Sequence, residues 1–226
     1  MAEQLGFDLP GVPALGRADF LVAPSNAVAI AMIEGWRDWT GRKLLLSGPE
    51  GAGKTHLTQV WAGLSGARVI SAADLESAPV PELARGHVAV EDVHSITGKS
   101  DAQTALFHLH NLVLAEGNSL LLTGQGAPAH WGIDLPDLAS RLTGTPTAQL
   151  DAPDDALLAA VLAKLFADRQ LTPRPELITY LLRRIDRSFA SARDIVAALD
   201  AASLAQKRGV SRSLAATILD KGGPSG

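Results

Sequence analysis

The sequence predicts an α/β protein: a parallel five-stranded sheet covered by helices on both faces, followed by a smaller all-helical unit. Three observations carry this expectation. Short apolar runs of strand length, Leu44-Leu45-Leu46 and Leu120-Leu121-Leu122 among them, alternate with helical stretches up to about residue 150. Such runs, with no polar residue between, suit parallel strands buried on both sides. After Pro153, four helical stretches follow with no strand among them. Between the first strand and the next helix stands a glycine-rich turn, GPEGAGKT, residues 48–55. A chain of 226 residues holds one α/β domain and a small appendage.

Residues 1–18 contain Gly6, Pro10, Gly11 and Pro13 without helical period, and read as a flexible tail. Within it, Leu5, Phe7 and Leu9 alternate with small or polar residues. That period of two sets all three on one side of an extended chain, an apolar face suited to a partner. Residues 19–151 form the α/β domain. Ser25-Asn26 offers an N-cap for a helix over 27–39, which Thr40-Gly41 ends. Lys43–Ser47 is the first strand, a helix runs from Lys54 to about Leu64, and Arg68–Ser71 is the second strand. Pro79 and Pro81 interrupt the next segment. Residues 87–92 make a third strand ending in two carboxylates, Glu91 and Asp92. Ser100 with Gln103 has the spacing of a capping box for a helix reaching about Glu116, which Gly117 stops. Residues 120–123 are a fourth strand and 145–150 a weaker fifth. Residues 152–220 form the helical domain, with helices over 154–170, 175–186, 190–207 and 211–219. The closing residues 221–226 are expected to fray.

Composition narrows the function classes. Twenty Lys and Arg against 24 Asp and Glu give a formal charge of −4, which weighs against broad electrostatic binding to nucleic acid. The lack of cysteine removes disulfides, a thiol nucleophile and thiolate metal sites, and suits a cytoplasmic protein. No apolar run approaches the roughly 18 residues of a membrane span, and the N-terminal residues lack the signal-peptide pattern. No membrane association is expected. His108 and His110, two apart on one helix, point their side chains in different directions and read as surface or core residues rather than metal ligands.

The strongest chemical signal is Gly48-Pro49-Glu50-Gly51-Ala52-Gly53-Lys54-Thr55, a full G-x-x-x-x-G-K-[ST] between strand and helix. Glycines let the backbone curl so that N–H groups converge on phosphate oxygens, and the helix N-terminus adds partial positive charge. Lys54 suits the β- and γ-phosphates and Thr55 a Mg²⁺ ion. Glu91 and Asp92, at the end of the third strand, fall where such a protein places the carboxylate that orders Mg²⁺ and the group that activates water. Alone, a pair of acids at a strand end is an ordinary solvated turn. Beside this loop, it is a catalytic and metal-site candidate.

Several stretches together resemble the DnaA-related AAA+ family, and most closely its shorter Hda branch, over about residues 19–219. Residues 19–26, DFLVAPSN, look like the segment that precedes the family's first helix and borders the adenine. Residues 105–112, ALFHLHNL, look like the helix before the fourth strand. Leu121-Leu122-Thr123-Gly124 with Pro128 resembles sensor 1 and its turn. Residues 135–142, LPDLASRL, resemble the segment whose arginine, here Arg141, is the arginine finger. Ser191-Ala192-Arg193-Asp194-Ile195 resembles the sensor 2 helix of the lid. Gln4-Leu5-Gly6-Phe7-Asp8-Leu9 resembles the peptide with which bacterial replication proteins bind the sliding clamp, Gln4 supplying oriented hydrogen bonds.

The resemblance implies an AAA+ P-loop core followed by a helical lid. It implies ADP or ATP with Mg²⁺, bound by residues 48–55 together with His56, Asn26 and Arg193. It further implies ATP-bound DnaA and the DNA polymerase III sliding clamp as partners, contact with DNA through the clamp, and a possible homo-oligomer. The activity implied is stimulation of DnaA-bound ATP hydrolysis by Arg141 in trans, limiting re-initiation of replication. The chain departs from the family at Glu91 (usually Asp), at Asp92 (usually Glu) and at Gln125, where DnaA has an aspartate. Displacing a carboxylate by a methylene costs on the order of 100-fold at a catalytic centre, so weak turnover by the chain alone is expected. No origin-reading domain is expected, because the chain ends near Leu219. Two other readings stay open: a helicase-loader-like AAA+ ATPase, and a non-enzymatic clamp-binding adaptor with a structural nucleotide.

Overall fold

The computed structural model describes residues 21–206 and 208–221. The clamp-like peptide, Gln4, Leu5, Phe7 and Leu9, lies outside these residues, as do Asp19, Phe20 and the closing 222–226. The α/β part consists of α1 (Ala27–Glu34), β1 (Lys43–Ser47), α2 (Lys54–Ser65), β2 (Arg68–Ser71), α3 (Val80–Leu83), β3 (Val88–Glu91), α4 (Ser100–Ala115), β4 (Leu120–Gly124), α5 (Pro136–Thr143) and β5 (Thr147–Gln149). The helical part consists of α6 (Asp155–Asp168), α7 (Pro175–Leu182), α8 (Phe189–Gln206) and α9 (Arg212–Lys221).

The five strands form one parallel sheet in the order β2-β3-β4-β1-β5. Their side chains alternate between two cores, as a period of two requires. Leu45, Val88, Val90, Leu120 and Leu122 face one layer with Leu106, Leu109 and Leu142 of α4 and α5. Leu44, Leu46, Ala89, Leu121 and Ala148 face the other, with Ile33 of α1 and Leu57 and Trp61 of α2. Burial on both faces explains the uninterrupted Leu runs of β1 and β4. The lid has its own core, in which Leu158, Leu162 and Phe166 of α6 meet Leu181, Val196 and Leu199.

Three local expectations are corrected. The helix expected over 27–39 ends at Glu34; Gly35 and two short 3₁₀ turns, Trp36–Asp38 and Thr40–Arg42, carry the chain into β1. Asn26 does not cap α1 with its side chain. Its Oδ1 accepts from Ala23 N (2.8 Å) and its Nδ2 donates to Leu21 O (2.9 Å), closing the loop before the helix. The capping box at Ser100 and Gln103 does not form: Lys99 is the N-cap position and gives no side-chain cap. Gln103 is buried, donates to Ile96 O, and accepts from Asp134 N (2.9 Å) and Leu135 N (3.2 Å), fixing the turn into α5. For Asn26 and Gln103 alike, the polar side chain meets backbone groups outside the helix that it would otherwise cap.

Candidate nucleotide site and its opposite pole

All strands run parallel, so the loops after β1, β3 and β4 gather at one edge of the sheet, the usual place for ligands in such folds. The loop 48–53 leaves β1 there. Gly48 packs so closely on the end of β5 that a Cβ would run into Leu150 O. Gly51 (φ +73°) and Gly53 (φ +99°) adopt left-handed backbone that glycine tolerates without cost. Lys54, 7% exposed, donates from Nζ to Gly48 O (2.8 Å) and Pro49 O (2.7 Å), bracing the loop from within. Burial lowers its pKa, while the charges of Asp92, Glu50 and Glu91 raise it. Ala52 is buried under the loop, whereas Glu50 and Thr55 are exposed and His56 is half-buried.

Glu91 ends β3 beside this loop. Burial raises its pKa; the facing hydroxyl of Thr55 lowers it, Asp92 raises it again, and Thr58 and Lys54 lower it. Its Oε1 is buried with no hydrogen-bond partner among the described residues. A buried carboxylate oxygen left unsatisfied is costly unless a cation or donor meets it. With Thr55 beside it, this donor set fits a Mg²⁺ ion of the hard, oxygen-liganded kind. Asp92 sits in a left-handed conformation (φ 56°), unusual for a non-glycine residue, and its N–H donates to Thr123 Oγ1 (3.0 Å). The end of β4 thereby fixes the acidic turn.

The lid closes on the same loop. Phe189 N donates to Gly51 O (3.0 Å), and a Cβ on Gly51 would strike Ser188. Arg193 lies one turn further along α8, exposed. The sequence singled out Arg193 but not Ser188 and Phe189, whose contact with the loop joins distant parts of the chain and leaves no local pattern. Asn26 is brought near by its own loop, with Asp151 N donating to Ser25 O (3.2 Å) just past β5.

Arg141 stands elsewhere. It lies on α5 with its guanidinium 5.0 Å from the Phe107 ring centroid of α4, a cation–π distance. Its electrostatic neighbours are Lys43, the first residue of β1, and His110 of α4. The loop 48–55 begins at the other end of β1, roughly 13 Å away along the strand alone. Thus the structure brings residues 48–56, Asn26, Glu91, Asp92 and Arg193 to one pole and leaves Arg141 at the other. Among the described residues no cluster of three or more His, Asp or Glu makes a metal site by itself, and no helix is long and apolar enough to cross a membrane.

Comparison with known proteins places this architecture. No protein-family model matches the chain. An uncharacterized protein of Haemophilus influenzae is 30% identical over 187 residues, covering 76% of this chain and 79% of its own. The chromosomal replication initiator DnaA of Caulobacter sp. is 30% identical over 222 residues, covering 85% of this chain; the chain spans 45% of that DnaA. Among solved structures, domain III of Thermotoga maritima DnaA superposes with a TM-score of 0.78 at 20% identity, covering 92% of this chain and 97% of that one. AMPPCP-bound DnaA from Aquifex aeolicus gives 0.67 at 23% identity, covering 79% and 62%. The chain belongs to one family with the Haemophilus protein, is similar to DnaA over most of its own length, and has the AAA+ domain-like fold of DnaA domain III.

Proposed function

We propose that the chain is an Hda-like regulator of replication initiation, which uses its own nucleotide to set its shape and Arg141 to act on a neighbour. The observation that carries this reading is the separation of poles. Arg141 is remote from the chain's own phosphate loop, rests on Phe107, and has no carboxylate in salt-bridge range among the described residues. A guanidinium so held serves a site completed between two molecules.

At the loop pole, the backbone N–H groups of residues 48–53, with Lys54 and Thr55, suit the phosphates of ADP or ATP. Glu91 and Asp92 suit Mg²⁺, and Arg193 reaches from the lid. AMPPCP in the Aquifex aeolicus relative is consistent with this assignment. Nucleotide bound there would supply negative charge that links the loop to the lid and fixes the angle between the two parts. The half-buried Glu91 and the constrained Asp92 fit a weak intrinsic ATPase.

At the other pole, Arg141 meets the terminal phosphate of ATP held by a neighbouring DnaA. The guanidinium stabilises charge that develops as the phosphoryl group leaves, and such fingers are worth roughly 10³–10⁵ in rate in other nucleotide hydrolases. Gln4, Leu5, Phe7 and Leu9 tether the chain to the sliding clamp, which brings it near DNA and raises the effective concentration of the pair. The protein would thus work in the cytoplasm at replicated DNA, as an activator rather than as an enzyme alone.

The test is hydrolysis of ATP already bound to DnaA, with clamp loaded on DNA. The chain should stimulate it strongly; substitution of Leu5 and Phe7 by Ala should abolish the clamp dependence, and Arg141→Ala the stimulation. A folded, nucleotide-loaded chain that leaves the DnaA-bound ATP intact would overturn the reading, and favour a loader-type ATPase if it turned over ATP itself with single-stranded DNA.

A further inference from the structure

We propose that Lys43 is a second cation of the Arg141 pole, seated by His110 so that two positive side chains face one phosphate of the neighbour's nucleotide. The inference rests on the trans-acting reading above and adds to it Lys43, which lies in none of the motifs the sequence offers.

Lys43 opens β1 and is half-buried, on the face of the sheet that Leu45 shares with α4 and α5. Its Nζ lies 3.4 Å from His110 Nε2. An ammonium only donates, so Nε2 is the nitrogen with the lone pair and the ring proton resides on Nδ1. His110 is 1% exposed, and its Nδ1 is buried with no partner among the described residues. Burial, then Lys43, then Arg141 push its pKa down to about 4, with Asn111 opposing. At neutral pH the imidazole is therefore an uncharged acceptor. It orients the ammonium without cancelling its charge.

Among the described residues, nothing else cancels it. Desolvation and the Arg141 charge both lower the Lys43 pKa, and no carboxylate acts on either Lys43 or His110. Asp137, one turn before Arg141 on α5, is outside salt-bridge range. The Arg141 guanidinium makes no hydrogen bond to another described residue, so its N–H groups remain available beside the Phe107 face. Two cations held together around a neutral buried histidine form an electrostatic unit that an external anion completes. A terminal phosphate, with charge spread over three oxygens, accepts from both at once, and it gains charge-assisted bonds as negative charge shifts during hydrolysis. Lys43 then touches the reacting group, while His110 is a positioning residue.

The experiment measures single-turnover hydrolysis of DnaA-bound ATP at saturating chain, with loaded clamp, for Lys43→Gln, Lys43→Arg, His110→Gln, His110→Leu and Arg141→Ala. Lys43→Gln should slow the stimulated rate roughly 10- to 100-fold, the worth of a charge-assisted hydrogen bond. Its melting temperature and ADP affinity should equal those of the wild type, and Lys43→Arg should recover most of the rate. His110→Gln keeps an acceptor near Nε2 and should stay close to wild type, whereas His110→Leu should resemble Lys43→Gln. If Lys43→Gln stimulates like wild type while Arg141→Ala does not, the second cation is refuted and the trans-acting reading stands. If Arg141→Ala stimulates fully, both fall. Loss in Lys43→Gln with a lowered melting temperature and no recovery in Lys43→Arg would assign Lys43 to packing and overturn the inference.

Discussion

The two ends of strand β1 lead into lysines in opposite electrical surroundings. At the C-terminal end, Lys54 donates into its own loop, and Asp92, Glu50 and Glu91 all favour its charge. At the N-terminal end, Lys43 touches a neutral histidine and is opposed by Arg141, with no acid among the described residues acting on it. The sheet is the same at both ends and its leucines are equally buried. What differs is where the compensating charge comes from. The loop pole carries both signs in one chain, as a site for a metal and phosphates must. The Arg141 pole carries one sign, and in the proposed function a second molecule supplies the other.

The comparison is most severely strained by removing the charge at the loop pole. Lys54→Ala should weaken ADP binding on the order of 100-fold or more, read by titration with fluorescent ADP, while Arg141→Ala leaves that affinity unchanged. Equal losses in the two variants would erase the distinction between the poles.

The next effect in size is a pH dependence from the cationic pole. The His110 imidazole sits at about 4 in the folded chain against an ordinary 6.5. Between these values the unfolded chain binds the proton more readily, so stability is full above about 6.5 and declines as pH falls toward 4. The loss amounts to about 3 kcal/mol. Denaturant titrations across this range should show the decline in wild type and a flatter profile in His110→Gln.

Gly51→Ala tests the link between loop and lid. Its φ of +73° and the clash with Ser188 should together cost about 2 kcal/mol, seen as a lower midpoint and a smaller thermal shift on adding ADP. A smaller effect of opposite sign is expected at Glu91. Burial raises its pKa, so its ionised form disfavours the folded state. The stability it contributes when protonated is present below pH 4.5 and lost as pH rises through its raised value. Glu91→Gln should accordingly raise the denaturation midpoint of the metal-free chain at pH 7, and the gain should vanish below pH 4.5.

The parallel sheet, the positions of β1 and β2 and the four lid helices were legible because they rest on local signals, leucine and valine runs and stops at Gly and Pro. The loop 48–55 was legible for the same reason. Side-chain hydrogen bonding was not. Asn26 and Gln103 carry the right residue type for caps at the right spacing, yet each finds better partners across the fold, Leu21 and Ala23 for one and residues 134 and 135 for the other. The site was half legible. Arg141 came only through a family motif, and the Lys43 and His110 pair could not be seen, because a lysine at a strand start and a histidine in a helix 67 residues later meet only in the folded sheet.

The most direct measurement loads the chain with ADP, adds it to DnaA carrying γ-labelled ATP with clamp on DNA, and follows phosphate release for wild type and Arg141→Ala. The account predicts rapid release with wild type and release at the unstimulated rate with Arg141→Ala, although both bind ADP alike. Equal release with both proteins, or release only when the chain itself carries ATP, would contradict a division of labour between the two poles.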